Sequence, residues 1–498
     1  MLTREQFQEL SDQGPDAVFA FVSTLQEKVE TLSTHVETLN THVDTLNARI
    51  KELENRLGKN SKNSSKPPSS DGFRKPVSLR PKSTRKPGGQ KGHQGCTLTF
   101  TEDPKHTVFH DPDVCACCGK DLAEVEGVAT DERRQVSDLP ELALEVTEHR
   151  VRRKGCPDCG HINTASFPES VPSSVQYGCR IRAFWVYLNT YQLLPYARIA
   201  QMNQDLFGAS VSPGTLENAQ QEASSRLEPI LEFIKEQLIK AGLIHCDESG
   251  MRIGAKLHWL HTVGTLLFTL YHCHKKRGKE GMDDMGILSK FTGRAVHDSW
   301  MPYFLYSCAH ALCLAHILRE LTAVRDQDKQ EWAGKLICLL LEIKQATENA
   351  ASLGQTRLSP LLEARFEGRY RKLLAEGYKA NPPPEINPNK KGRPKQTAAR
   401  NLLDRLDKHQ CEVLAFMYDF SVPFDNNLAE RDIRMIKVKL KVSGGFRSGE
   451  GASAFCRVRS YISTLRKQGR PILSALESLF QGDPVYPHAE TCPNAPGV

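Results

Sequence analysis

From Val22 to Leu57, apolar residues recur in alternating steps of three and four. Val22, Val29, Val36, Val43, Ile50 and Leu57 occupy one set of positions, and Leu25, Leu32, Leu39, Leu46 and Leu53 the other, through five unbroken heptads. β-Branched residues at almost every a position and leucine at every d position favour a parallel two-stranded coiled coil. The flanking e and g positions are poor in acids, and only Arg49 with Glu54 makes an obvious interchain ion pair. Packing rather than charge therefore drives association, and residues 1–57 are read as a helix and coiled coil that make the protein a homodimer.

The pattern shortens after residue 240. Ala241–Asp247 reads as a buried strand ending on an acid. Lys256-Leu-His-Trp-Leu-His-Thr-Val and Leu266-Leu-Phe-Thr-Leu-Tyr-His-Cys follow as two further strands, and together the three make an antiparallel meander. A helical stretch at about 281–291 precedes a fourth short strand, Gly293–Asp298, which also ends on an acid. Strand ends of one sheet lie side by side, so Asp247 and Asp298 are expected to face one site.

Helical periodicity governs most of the rest. Residues 176–240 read as helical, and Arg198–Gly208 followed by Ser212-Pro213 makes a helix, a glycine turn and a capped helix. That is a helix-turn-helix candidate for a major groove, with a plain helical hairpin as the other reading. Between about 320 and 415 the chain looks like a helical insertion. Residues 421–447 begin with Asp425-Asn-Asn, an N-cap signal, and carry two stripes. Ala429, Ile433, Ile436 and Leu440 form a core face; Glu430, Arg434, Lys437 and Lys441 form a polar stripe beside it. The C-terminal part, 448–498, reads as a helix, a glycine stop, a shorter helix from Pro471 and a tail beyond about 483.

Composition changes the picture in one place. The 498-residue chain carries a net charge of +7, yet residues 58–95 hold ten Lys or Arg against Asp71 alone. That segment's net +9 exceeds the total, so the remainder is close to neutral. Its Ser, Pro and Gly content keeps it from packing, and it is read as a flexible basic linker (58–100) along phosphates, with Lys86 and Lys91 among its contacts. Lys391-Gly-Arg-Pro, with Arg393, has the look of a minor-groove arm or of a solvated loop. No stretch is apolar enough to span a membrane, and the N-terminus has no apolar signal core, so a cytoplasmic, nucleoid-associated protein is expected.

Fifteen cysteines in such a chain suit a reducing compartment with some metal use. Cys115-x-x-Cys118 and Cys156-x-x-Cys159, each followed by glycine, match a structural four-thiolate Zn²⁺ site within residues 101–175. The long spacer has room for a hairpin, with Leu142–Val151 as one strand. Cys308, His310, Cys313 and His316 are four possible ligands within nine residues. A second metal site is the rival reading; the preferred one packs them behind Asp298, with His316 near the site.

Asp247, Asp298 and Glu430 carry the chemistry. Carboxylates are the ligands that Mg²⁺ or Mn²⁺ prefers, and two such ions suit phosphodiester cleavage. Three carboxylates crowded without metal repel one another.

The chain resembles the insertion-sequence-66 family of transposases, the large TnpC-type subunit, almost from end to end. The resemblance rests on the leucine heptads, the segment Asn60–Asp71, Pro87-Gly-Gly-Gln-Lys-Gly-His-Gln-Gly, the cysteine knuckles and Leu194-Pro-Tyr-Ala-Arg198. In the core it rests on Asp247-Glu-Ser-Gly250, His297-Asp298, Cys313-Leu-Ala-His316-Ile-Leu-Arg-Glu-Leu, Asn426-Asn-Leu-Ala-Glu430-Arg-Asp-Ile-Arg434 and Ser443-Gly-Gly-Phe-Arg-Ser. Ser249 stands where the family pattern has Thr.

The resemblance implies a multidomain α+β protein whose RNase H-like core is split into 241–318 and 421–447 around an insertion at 319–420. It places a DDE triad on Asp247, Asp298 and Glu430. It implies an enzyme that binds terminal inverted repeats of double-stranded DNA, cleaves the 3′ strands and joins them to target DNA, with small accessory proteins of the same element as further partners. The alternative is a non-catalytic DNA-binding regulator derived from such a transposase.

Overall fold

The computed structural model describes residues 3–60, 63, 98–127, 132–384 and 396–489. Lys86, Lys91, Lys391 and Arg393 lie outside the described residues. The chain divides into two compact units, Val77–Ala219 and a larger one made of Gln220–Val498 with the N-terminal segment. Among the described residues, no helix is long and apolar enough to cross a membrane.

A short helix, α1 (Arg4–Asp12), is closed by a reciprocal cap between Thr3 and Gln6. It leads into α2 (Pro15–Leu57), 43 residues long and opened by a proline in its first turn. The heptad positions of α2 are uncovered: Val36 is 54% exposed and Leu39 61%. A helix that buries nothing of its apolar stripe within its own chain has a surface left for another chain.

In the smaller unit, β1 (Arg153–Gly155) and β2 (Ile162–Thr164) pair antiparallel around the second cysteine knuckle. Leu142–Val151 joins no ladder among the described residues, contrary to the hairpin expected there, and Val146 is 90% exposed. Then come α3 (Cys179–Val186), α4 (Tyr196–Phe207) and α5 (Pro213–Arg226). Gly208 closes α4 at φ +64°, and the Ser212 hydroxyl accepts the Thr215 N–H at 3.1 Å to open α5.

The larger unit continues with α6 (Glu228–Lys240) and then a five-stranded mixed sheet. Its strands are β3 (Leu243–Ile253), β4 (Lys256–Gly264), β5 (Thr269–His274), β6 (Arg294–His297) and β7 (Ala309–Leu312), in the order β5-β4-β3-β6-β7. The first three form an antiparallel meander; β6 and β7 run parallel to β3. Between β5 and β6, α7 (Lys279–Met285) is shorter than the helix expected there, because Gly286 ends it at φ +71°.

One point corrects the sequence reading. Asp247 lies within an eleven-residue strand rather than at its end, since β3 stays paired with β4 from His245 to Ile253. Pairing with β6, however, covers only Leu243–His245. Asp247 thus stands just past the end of the parallel half of the sheet, where Asp298 also stands. Gly293 makes that junction possible: a Cβ there would come within 2.6 Å of the Gly242 carbonyl oxygen.

The edge of β5 is not left open. Its outward N–H groups at Thr269 and Tyr271 donate to the hydroxyls of Thr464 (3.1 Å) and Ser460 (2.9 Å) on α15 (Gly449–Lys467). Between β7 and α14 (Asn427–Ser443) the chain is helical, as α8 (Leu314–Gln327), α9 (Glu331–Ser352), α10 (Pro360–Ala380), α11 (Ala398–Lys408), α12 (Gln410–Val413) and α13 (Ala415–Tyr418). Their buried Leu, Ile and aromatic side chains make one core with Val296, Ala311 and Leu312 of the sheet. After Gly469, α16 (Ile472–Gln481) follows. The expected tail is not loose throughout: the Tyr461 hydroxyl donates to the Val485 carbonyl at 2.9 Å, and Tyr486 packs edge-on against Phe233.

Candidate active site

Each of the three predicted acids comes from a different element. Asp247 projects from β3, and its Oδ1 accepts the Glu248 N–H at 2.9 Å. Asp298 follows β6 directly, and its Oδ1 accepts the Trp300 N–H at 3.0 Å. Glu430 sits in the first turn of α14, where a helix N-terminus favours negative charge.

The three are electrostatically one group. Burial, the charge of Glu248 and those of Asp298 and Glu430 together push the Asp247 carboxyl up to about 8, against the single backbone hydrogen bond that lowers it. Glu430 has a buried Oε1 with no hydrogen-bond partner. Asp247 thus feels both other acids, although among the described residues the three carboxylates do not gather within 4.8 Å of one another.

α14 is fixed at two points. At its head, Asn426 faces His245 Nδ1 at 2.8 Å through Oδ1, and its Nδ2 donates to the Cys246 carbonyl at 2.7 Å. Its N–H also points at Cys313 Sγ, 3.2 Å away. The residue just ahead of the helix that carries Glu430 is thereby bound to the strand that carries Asp247. Further along, the buried Lys467 ammonium meets Asp432 at 2.8 Å and donates to the carbonyls of Thr265 and Phe268.

Asn426→Ala would orphan the Cys246 carbonyl and His245 ring it serves. It is expected to cost about 2 kcal/mol of stability, and urea unfolding of the variant checks this.

The second acid is held from behind. His297 is buried, stacks on Tyr303 with ring centroids 4.4 Å apart, and meets His310 Nδ1 at 3.0 Å through Nε2. Its Nδ1 bonds the Asp298 carbonyl. Burial holds its pKa down to about 3, so the ring is a neutral strut at ordinary pH.

Glu248 escaped the sequence reading. It neighbours Asp247 on the strand and therefore points to the other face. Arg277 clamps its Oε1 at 2.6 and 3.1 Å, and the Tyr303 hydroxyl donates to Oε2 at 2.5 Å. The Arg277 guanidinium lies over the rings of Trp300 (4.0 Å) and Trp259 (4.9 Å). With its oxygens so engaged, Glu248 is a support for the site rather than a free ligand. The only signal in the sequence is two adjacent acids following the apolar start of the strand.

On α14 the basic stripe is where the periodicity put it: Arg434, Lys437 and Lys441 are exposed. Ala429, Ile433 and Ile436 are buried, but Leu440 is only half-buried. Lys439 takes the buried place instead, with its ammonium 4.3 Å from the Phe446 ring and 5.0 Å from that of Phe455.

In the smaller unit the two cysteine knuckles share one local form. The N–H groups of Gly119 and Gly160 return to the Cys115 and Cys156 carbonyls at 2.9 Å, with φ of +71° and +74° that favour glycine. The backbone N–H of Cys118, then that of Cys117, holds the Cys115 thiol below its ordinary pKa. Cys159 and Asp158 do the same for Cys156. The knuckles stand as two pairs; the four sulfurs do not gather into one group. Among the described residues, the group of His, Cys, Asp or Glu side chains that does converge is Cys313, His316 and Glu430.

A model for a family described as "zinc-finger binding domain of transposase IS66" matches residues 112–160, so the knuckle region is a zinc finger and takes a structural zinc. Residues 21–99 match a family of unknown function. No curated protein matches the chain significantly. The model described as "Transposase IS66 family" matches residues 174–454, more than half of the 498 residues and the whole span from α3 to α14. The chain belongs to the IS66 family of transposases.

Proposed function

We propose that the protein is a DDE transposase that binds the terminal inverted repeats of an insertion sequence, cleaves the 3′ strands and joins them to target DNA. Asp247, Asp298 and Glu430 are its catalytic acids. The observation that carries this reading is that Asp298, at the end of β6, and Glu430, in the first turn of α14, both act on the buried Asp247 carboxyl of β3. The sheet order β5-β4-β3-β6-β7, with a meander followed by two parallel strands, supports an RNase H-like core.

The residues fit divalent metal. Asp247 is driven towards protonation by burial and by neighbouring like charges. Carboxylate oxygens are what Mg²⁺ or Mn²⁺ takes. When bound, such ions offset the negative charge that develops on the attacking and leaving oxygens of the phosphodiester.

The chain's own part is positioning. His297 and Trp300 set the Asp298 backbone and carboxylate, and Asn426 sets α14 against β3. Arg434, Lys437 and Lys441 offer a cationic face for the phosphate backbone on the helix that carries Glu430. In the smaller unit Cys115, Cys118, Cys156 and Cys159 are the zinc ligands, and α4 and α5 form the helix-turn-helix. α2 pairs with that of a second copy, so that two active sites process two ends. Lys86, Lys91, Lys391 and Arg393 add basic contacts to DNA.

The test is cleavage of a labelled duplex carrying the element's own terminal repeat, with Mg²⁺ and with EDTA. Metal-dependent nicking at the 3′ end is expected. Tight binding without a nick, in the presence of the element's accessory proteins, would instead identify a non-catalytic regulator.

A further inference from the structure

We propose that Cys313, His316 and Glu430 form a site for a transition-metal ion of the Zn²⁺ or Co²⁺ kind, sharing Glu430 with the acidic triad. One ligand atom from each lies within 4.8 Å of the other two. His316 Nδ1 and Glu430 Oε1 are 3.8 Å apart, and both are buried without a hydrogen-bond partner. Two adjacent buried polar atoms left unsatisfied are costly unless a third body sits between them.

The backbone is built for the sulfur as well. Cys313 is the N-cap residue of α8 and His316 lies in its first turn, so both donors come from one short stretch. The Asn426 N–H is directed at Sγ from 3.2 Å. An N–H donor behind a ligating sulfur is the kind of outer support that orients metal ligands.

The neighbouring candidates are otherwise engaged. His310 uses Nδ1 on His297 and Nε2 on the Tyr306 carbonyl at 3.1 Å. Cys308 is not part of the converging group. The four-ligand stretch of the sequence thus divides: Cys313 and His316 turn to Glu430, while His310 braces the strand behind Asp298.

Thiolate and imidazole select a borderline metal over Mg²⁺, which prefers oxygen alone. Three protein donors also leave a tetrahedral ion one open position. An ion here would hold Glu430 by Oε1 and leave its second oxygen to the triad.

The inference stands on this side-chain group and not on strand cleavage, so its test is spectroscopic. Metal-free full-length protein carrying Cys115→Ser and Cys156→Ser, which break both knuckles in the other unit, is titrated with Co²⁺ in excess Mg²⁺. One equivalent giving a sulfur-to-cobalt charge-transfer band is expected, and adding Cys313→Ser is expected to remove the band. Adding His316→Ala, at a half-exposed position that leaves the core intact, is expected to weaken Co²⁺ binding at least tenfold. No such band in the knuckle variant, or one that neither further substitution changes, would overturn the proposal. Loss of cleavage with the band retained would fault the transposase reading alone.

Discussion

Asp247→Asn is expected to reduce 3′-strand cleavage about a thousandfold or more, with affinity for the terminal repeat unchanged. A lost metal-ligating carboxylate removes several kcal/mol of transition-state stabilisation. The amide keeps the shape of the side chain and the hydrogen bond its oxygen accepts from Glu248.

The same substitution should stabilise the metal-free protein. Burial and like charges raise the Asp247 carboxyl from 3.8 to about 8. A group whose folded pKa is raised contributes stability below its unfolded value and loses it as pH climbs through the folded one. In EDTA, wild type therefore weakens between about pH 4 and pH 8 through this group, and the Asn variant does not. Melting curves across that window should separate, with the variant higher at pH 8. Mg²⁺ should raise the melting temperature of wild type far more than that of the variant. Cleavage that survives Asp247→Asn would remove this residue from the catalytic triad.

What could be read from the chain follows from how local each signal is. The long helix of the heptads, the β4 and β5 runs, the start of α14 after Asp425-Asn and the Gly469 break between α15 and α16 are written in residues close together, and they are found in the structure, although the Asn426 side chain turns to β3 instead of capping α14. β3 beyond Asp247 was missed because Glu248-Ser-Gly is polar; pairing with β4, not apolar content, makes it a strand. β7 was missed because Ala309–Leu312 is four residues long and gains its place only by lying parallel to β6.

Around the site, the acids are recognisable as types, and their supports are not. Glu248 with Arg277, and Asn426 with Cys246, pair residues 29 and 180 positions apart. No periodicity carries such pairings. Lys439 belongs to neither stripe of α14, and it packs its stem inward with its ammonium against two aromatic rings.

The long helix gives the second large effect. Leu32→Lys with Leu39→Lys, both at d positions, is expected to convert a dimer into a monomer. In the single chain Leu32 and Leu39 are each 61% exposed, so the substitutions take nothing from the chain's own core. In a parallel pair each position buries two leucines, one from each chain. Four buried leucines at about 1.5–3 kcal/mol each contribute roughly 6–12 kcal/mol. Losing even the smaller figure weakens association by about four powers of ten. Sedimentation equilibrium at micromolar concentration should therefore give the mass of one chain for the variant and of two for wild type. Nicking at a single end should persist in the variant, because Asp247, Asp298 and Glu430 all belong to one chain, while coupled processing of two ends should be lost. A variant that still sediments as a dimer would locate self-association outside α2 and leave the exposed heptads to another partner helix.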